Sequence, residues 1–159
     1  MFTEGTTTMH ASGVGRTHEE ILKQVESADP SVWDFASYLP VGKAVQKLKT
    51  WRDQGAEILY LTSRTARDQI EDVRNVLKGQ GFPDGRLLFR QDGESYAEIA
   101  ERVIPDVLIE DDCECIGGVD QMTITRVAPE IKSRIKSIPV KEFAGIDHLP
   151  DVLSDLFDW

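Results

Sequence analysis

Histidine and cysteine are scarce in this chain, with three His and two Cys among 159 residues. The cysteines, Cys113 and Cys115, are separated by one residue, a spacing that makes a mutual disulfide geometrically awkward, and neither has another cysteine to pair with. This usage predicts a reduced, cytoplasmic protein. No further Cys or His spacing completes a zinc set around Cys113-Glu114-Cys115, which reads as a loop of small residues. Basic residues are also in deficit, 18 Lys and Arg against 28 Asp and Glu, a formal net charge of −10. That balance leaves no cationic footprint for nucleic acid or for an anionic membrane. Finally, no apolar run approaches the roughly 20 residues that span a bilayer, and the N-terminal stretch has neither a basic region nor a long apolar one. Export and membrane anchoring are not expected.

What is present is 40% apolar residues in a chain with the length of one ordinary domain. From Val41 onward helix-like and strand-like patterns alternate, which predicts an α/β domain with a mainly parallel sheet. Thr17 and Glu20 form a capping box before the apolar face of Ile21, Leu22 and Val25. Val41, Ala44, Val45, Leu48 and Trp51 recur at helical spacing and feed the apolar run Ile58 to Leu61. Ile70, Val73, Val76 and Leu77 mark another helix, Leu87 to Phe89 a short strand, and Tyr96 to Val103 a helix ended by Pro105. Val107 to Ile109 reads as a buried strand and Ile138 to Val140 as a weaker one. Leu149 to Leu156 reads as a closing helix with Pro150 in its first turn, and Gly117 to Ala128 as irregular.

In open parallel sheets ligands bind beyond the carboxyl ends of the strands, so the residues following each strand carry the chemistry. After Leu61 come Thr62, Ser63 and Arg64, which offer two hydroxyls, a cation and the free amides of a helix start. That set suits an oxyanion such as phosphate, and equally an ordinary helix cap. After Ile109 come Glu110, Asp111 and Asp112. Adjacent carboxylates at a partly dry strand end repel one another and call for a cation or protonation, whereas in a loop they are simply solvated. Mg²⁺ is the natural guest, being hard, oxygen-seeking and usually held by one or two carboxylates plus water.

These residues resemble the haloacid dehalogenase superfamily across most of the chain. Glu4-Gly5-Thr6-Thr7 looks like the end of its first motif, Thr62 like the hydroxyl of its second, and Asp111-Asp112 like the acidic pair of its fourth, in the correct order. The resemblance implies a three-layer Rossmann-like fold for residues 1–159, with a short helical insert at about residues 8–40 in place of a large cap. It also implies a Mg²⁺-dependent phosphohydrolase acting on a phosphorylated substrate. On that alignment Glu4 is the acid/base. Gly5, Thr6, Thr62, Ser63, Arg64 and Arg90 would hold phosphate, and Glu4, Asp111 and Asp112 the metal.

One departure is chemical: the alignment puts Phe2 where the family's nucleophilic aspartate belongs, and phenylalanine cannot attack phosphorus. The alternative expectation is therefore a degenerate member that binds a phosphorylated ligand or partner without turnover. Only Met1 and Phe2 precede Thr3, so the first strand is expected to be a stub or to start upstream. The helix after Ser95 lacks the family's lysine, which leaves Arg90 as its nearest substitute. The insert, with His10 in a loop, leaves the site open to a bulky or macromolecular substrate. A lone loop histidine either touches such a substrate or is solvated.

Overall fold

A computed structural model describes residues 1–159. The chain enters through Met1–Thr3, turns at the threonine-rich loop, and begins an insert bracketed by a two-residue antiparallel pair, β1 (Thr8–Met9) with β2 (Leu39–Pro40). The two strands were not anticipated, because two-residue strands carry no periodicity. Inside the insert lies α1 (His18–Glu26), whose Thr17–Glu20 capping box forms as the sequence requires. Two 3₁₀ turns follow, at Pro30–Trp33 and Phe35–Ser37.

Beyond the insert, helices and strands alternate: α2 (Ala44–Asp53), β3 (Leu59–Leu61), α3 (Arg67–Gly79), β4 (Arg86–Leu88), α4 (Tyr96–Val103) and β5 (Val107–Asp111). A one-turn helix, α5 (Pro129–Lys132), and β6 (Lys136–Val140) complete the series. The protein is mixed α/β, with β3 parallel to β4 and β5 parallel to β6. Met1–Thr3 lies between these two pairs. The Leu61 amide donates to Met1 O, the Thr3 amide to Leu61 O, and the Phe2 amide to Ile109 O at 3.1 Å. The stub thus carries backbone bonds to both β3 and β5, and its parallel bridge to Leu61 keeps the direction of the other strands.

Residue alternation along the strands separates two faces. Tyr60, Ile109, Ile138 and Val140 pack with Ala44, Leu48 and Trp51 of α2 and Val73 and Leu77 of α3. On the other face Leu108 packs with Ala97 and Ala100 of α4 and with Met122, Ile124 and Val127, while Phe2 and Leu61 pack on Ile99. Leu108 and Ile109 therefore serve opposite cores, which explains why this strand is continuously apolar.

The expected closing helix at Leu149 to Leu156 does not form; only a 3₁₀ turn at Leu153–Phe157 appears. Side chains of α2 and of Gln54 at its C-terminal end capture the carbonyls that helix would need. Lys47 Nζ donates to Leu149 O at 2.7 Å, Trp51 Nε1 to Pro150 O at 2.9 Å, and Gln54 Nε2 to Asp151 O at 2.7 Å. Lys47 also pairs with Asp151. Gly117 to Ala128 is a succession of 3₁₀ turns. No helix is long and apolar enough to cross a membrane.

Candidate functional site

Three strand ends converge on the loop after the stub. Gly5 has φ +80°, a left-handed conformation that favours glycine, and it sits directly against an acid. A Cβ there would stand 2.9 Å from Asp111 Oδ2 and 3.5 Å from Glu142 Cγ. Thr3, Thr6 and Thr7 are fully buried, and each hydroxyl has a partner. Thr6 Oγ1 donates to Asp111 Oδ2 at 3.0 Å, and the Cys113 amide donates to Asp111 Oδ1 at 3.1 Å.

Glu4 faces the other strand end. Its carboxylate accepts Thr62 Oγ1 at 2.5 Å, Thr3 Oγ1 at 2.8 Å and the Ser63 amide at 3.2 Å. The hydroxyl and amide that suit an oxyanion are thus engaged by an anion of the chain itself. Arg64 donates to Ser63 Oγ and lies 4.3 Å over the Phe35 ring. Phe2 meets Tyr96 edge-on at 5.1 Å, a favourable arrangement for paired rings.

The three acids at the end of β5 part company because strand neighbours point to opposite faces. Glu110 shares the face of Leu108, is 2% exposed, and accepts the amides of Thr123 at 2.8 Å and Ile124 at 3.1 Å. It caps a 3₁₀ turn and anchors the irregular segment. Asp112 accepts the Glu142 amide at 3.1 Å and ties the ends of β5 and β6 together. Only Asp111 turns to the threonine loop.

Glu142, two residues beyond β6, went unrecognised in the sequence although it occupies a third strand end. Its Oε2 accepts the Cys115 amide at 2.8 Å. Burial raises the pKa of both Asp111 and Glu142, and the negative charge of Asp112 adds to each; Asp111 raises Glu142 further. The same burial pushes the Cys113 and Cys115 thiols up to about 12, so both stay protonated and non-nucleophilic at neutral pH.

Several of these groups line a cavity of about 320 Å³. Its lining includes Phe2, Glu4, Gly5, Ser63, Arg64, Asp111 and Glu142, and the insert adds Val25, Val32, Trp33, Phe35 and Tyr38. Arg90 does not line it: its guanidinium stacks 4.5 Å over Tyr96 and borders a separate polar cleft with Thr65 and Glu94. The cation beside the cavity is Arg64. Cys113 and Phe143, at φ 55° and 60°, are non-glycine left-handed residues in the lining, a strain that tends to collect at functional sites.

His10 departs from both readings of it. It is fully buried, its Nε2 lies 3.1 Å from Gln24 Oε1, and its ring meets Phe143 edge-on at 5.9 Å. Gln24 Nε2 donates to Ser12, Ser12 bonds Ser31 at 2.6 Å, and Ser31 donates to Asp29. This chain of bonds holds the insert wall, and because Gln24 donates onward, its oxygen must accept from His10 Nε2–H.

No set of three or more His, Cys, Asp or Glu side chains gathers at ligating geometry. Mg²⁺ does not require one, since water and substrate oxygens complete its shell. Comparison with protein-family models, with curated proteins and with solved structures finds no match to this chain.

Proposed function

We propose that the protein is a Rossmann-like domain of the haloacid dehalogenase type whose cavity binds Mg²⁺ and a phosphorylated ligand without turnover through an aspartyl-phosphate. The observation that carries this reading is Phe2: its ring is buried against Tyr96 and Leu61, and the sequence resemblance aligns it with the superfamily's nucleophile. Acidic and phosphate-binding groups nonetheless surround it. Asp111 and Glu142 are hard oxygen donors whose pKa values are raised by burial and by neighbouring carboxylates, and Arg64, turned to Ser63 and Phe35, does not bond either one. That donor set fits Mg²⁺, with Asp111 and Glu4 as ligands on the resemblance and Glu142 beside them.

A bound cation would neutralise the acidic end and screen an incoming phosphate from it. Thr62, the Ser63 amide and Arg64 would then hold phosphate oxygens once Glu4 leaves them, a charge-assisted arrangement at the start of the segment leading into α3. The second reading is slow phosphohydrolysis with Glu4 accepting a proton from water. It is favoured by the bonds from Thr3, Thr62 and Ser63 that orient Glu4.

Titrating Mg²⁺ while following tryptophan emission tests the metal site, because Trp33 lines the cavity. Saturable binding that Asp111→Asn weakens at least about ten-fold is expected, the loss of one charged ligand being worth that much or more. Binding indifferent to Asp111 would overturn the site. Assay of an aryl phosphate with Mg²⁺ separates the two readings: Mg²⁺-dependent hydrolysis abolished by Asp111→Asn supports the enzyme, and no hydrolysis despite binding supports the binder.

A further inference from the structure

The cavity lining combines two chemistries. The strand ends contribute Glu4, Ser63, Asp111 and Glu142. The insert contributes the apolar and aromatic side chains of Val25, Val32, Trp33, Phe35 and Tyr38. The aromatic rings form a connected series: Trp33 meets Phe35 edge-on at 6.2 Å, and Phe35 tilts against Tyr38 at 5.4 Å. Arg64 links the two sets, its guanidinium bonded to Ser63 and lying over Phe35.

This wall is held in place. Tyr38 donates to Val32 O at 2.7 Å, fixing the two 3₁₀ turns against each other, and the bonds from His10 through Gln24, Ser12 and Ser31 to Asp29 secure their start. Trp33 remains 56% exposed and Ile116 68% exposed, so large apolar side chains stand at the rim in contact with water. A cavity of about 320 Å³ is at the small end of the range that encloses small-molecule ligands.

We infer that the ligand is a small phosphomonoester with a flat apolar body: the phosphate lies toward Ser63 and Arg64, and the ring system is covered by Trp33, Val32 and Phe35. The inference rests on the phosphate end proposed above and adds the class of molecule attached to it. Flat rings suit this wall because aromatic side chains bury them with little loss of conformational freedom, and because Arg64 presents a planar cation that can stack on a ring.

The test is calorimetric titration of the full-length protein in Mg²⁺ with inorganic phosphate, 1-naphthyl phosphate, 1-naphthol and a phosphoserine peptide. Naphthyl phosphate is expected to bind about ten-fold more tightly than inorganic phosphate, and the phosphopeptide no more tightly than inorganic phosphate. Trp33→Ala, at a position too exposed to threaten folding, should remove most of the naphthyl margin; Val32→Asp, which places a charge in the apolar wall, should do the same. Equal binding of naphthyl and inorganic phosphate overturns the inference while leaving the phosphate end intact. A naphthyl margin that survives both substitutions also overturns it. Binding of naphthol and naphthyl phosphate with equal affinity, and none of inorganic phosphate, instead overturns the phosphate end and leaves an apolar site. Absence of binding by every probe overturns both.

Discussion

Replacing Gly5 with alanine tests the geometry that brings the first loop to the acidic strand end. Two costs are involved. Holding a non-glycine residue at φ +80° costs about 1–2 kcal/mol. The added Cβ, 2.9 Å from Asp111 Oδ2, forces that carboxylate away from Thr6 Oγ1. Asp111 is short and held at its second oxygen by the Cys113 amide, so it cannot yield without losing a bond. A lost charge-assisted hydrogen bond at a buried site costs about 1.5–3 kcal/mol. The sum is about 2.5–5 kcal/mol, enough to lower Tm by on the order of 10 °C in a chain of this size. The assay is urea denaturation of wild type, Gly5→Ala, Asp111→Ala and the double variant. Once Asp111 is truncated only the backbone cost of about 1–2 kcal/mol remains, so the two changes should couple by about 1.5–3 kcal/mol. Additivity to within about 0.5 kcal/mol would refute the contact between Gly5 and Asp111.

Two further outcomes follow from the same site. Burial raises the pKa of Asp111 in the folded state, so the folded chain binds its proton more readily than the unfolded chain does. The stability of wild type relative to Asp111→Asn should therefore rise as pH falls from above the raised folded value into the ordinary carboxylate range, then level off below it; a difference that falls on acidification would contradict the burial argument. Taking the difference cancels the buried Met1 amine, which burial lowers to about 5 and which acts with the opposite sign. Glu110→Ala strands the amides of Thr123 and Ile124, at a cost of about 2–4 kcal/mol in chemical denaturation, whereas Glu110→Gln, which keeps one acceptor oxygen, should cost about half. Equal losses would show that Glu110 acts by filling space.

The alternation of α2 through β6 was legible because each element has a period and a stop of its own. Trp51 and Leu48 recur at helical spacing ahead of Gly55, and Pro105 follows a left-handed Ile104 at the end of α4. Thr62, Glu4 and Asp111 were legible as a group for a similar reason, since each ends or directly follows a strand or the stub. Glu142 follows one as well, but the short apolar signal of Ile138 to Val140 did not draw attention to it. Leu149 to Leu156 has helical spacing and an early proline, yet Lys47, Trp51 and Gln54 bind the carbonyls of Leu149, Pro150 and Asp151 in a bent, non-helical segment, and partners about 100 residues away leave no mark on local pattern.

Residue types and spacing alone determined that helices alternate with apolar strands, that acids and hydroxyls cluster at strand ends, and that position 2 cannot supply a nucleophile. Only the tertiary structure decided which acids face the loop, because strand alternation sends Glu110 beneath Thr123 while Asp111 meets Thr6. It also decided that Arg64 rather than Arg90 borders the cavity, and that the insert forms a wall. A side chain's direction depends on which faces are already filled, and that is a property of the packed whole.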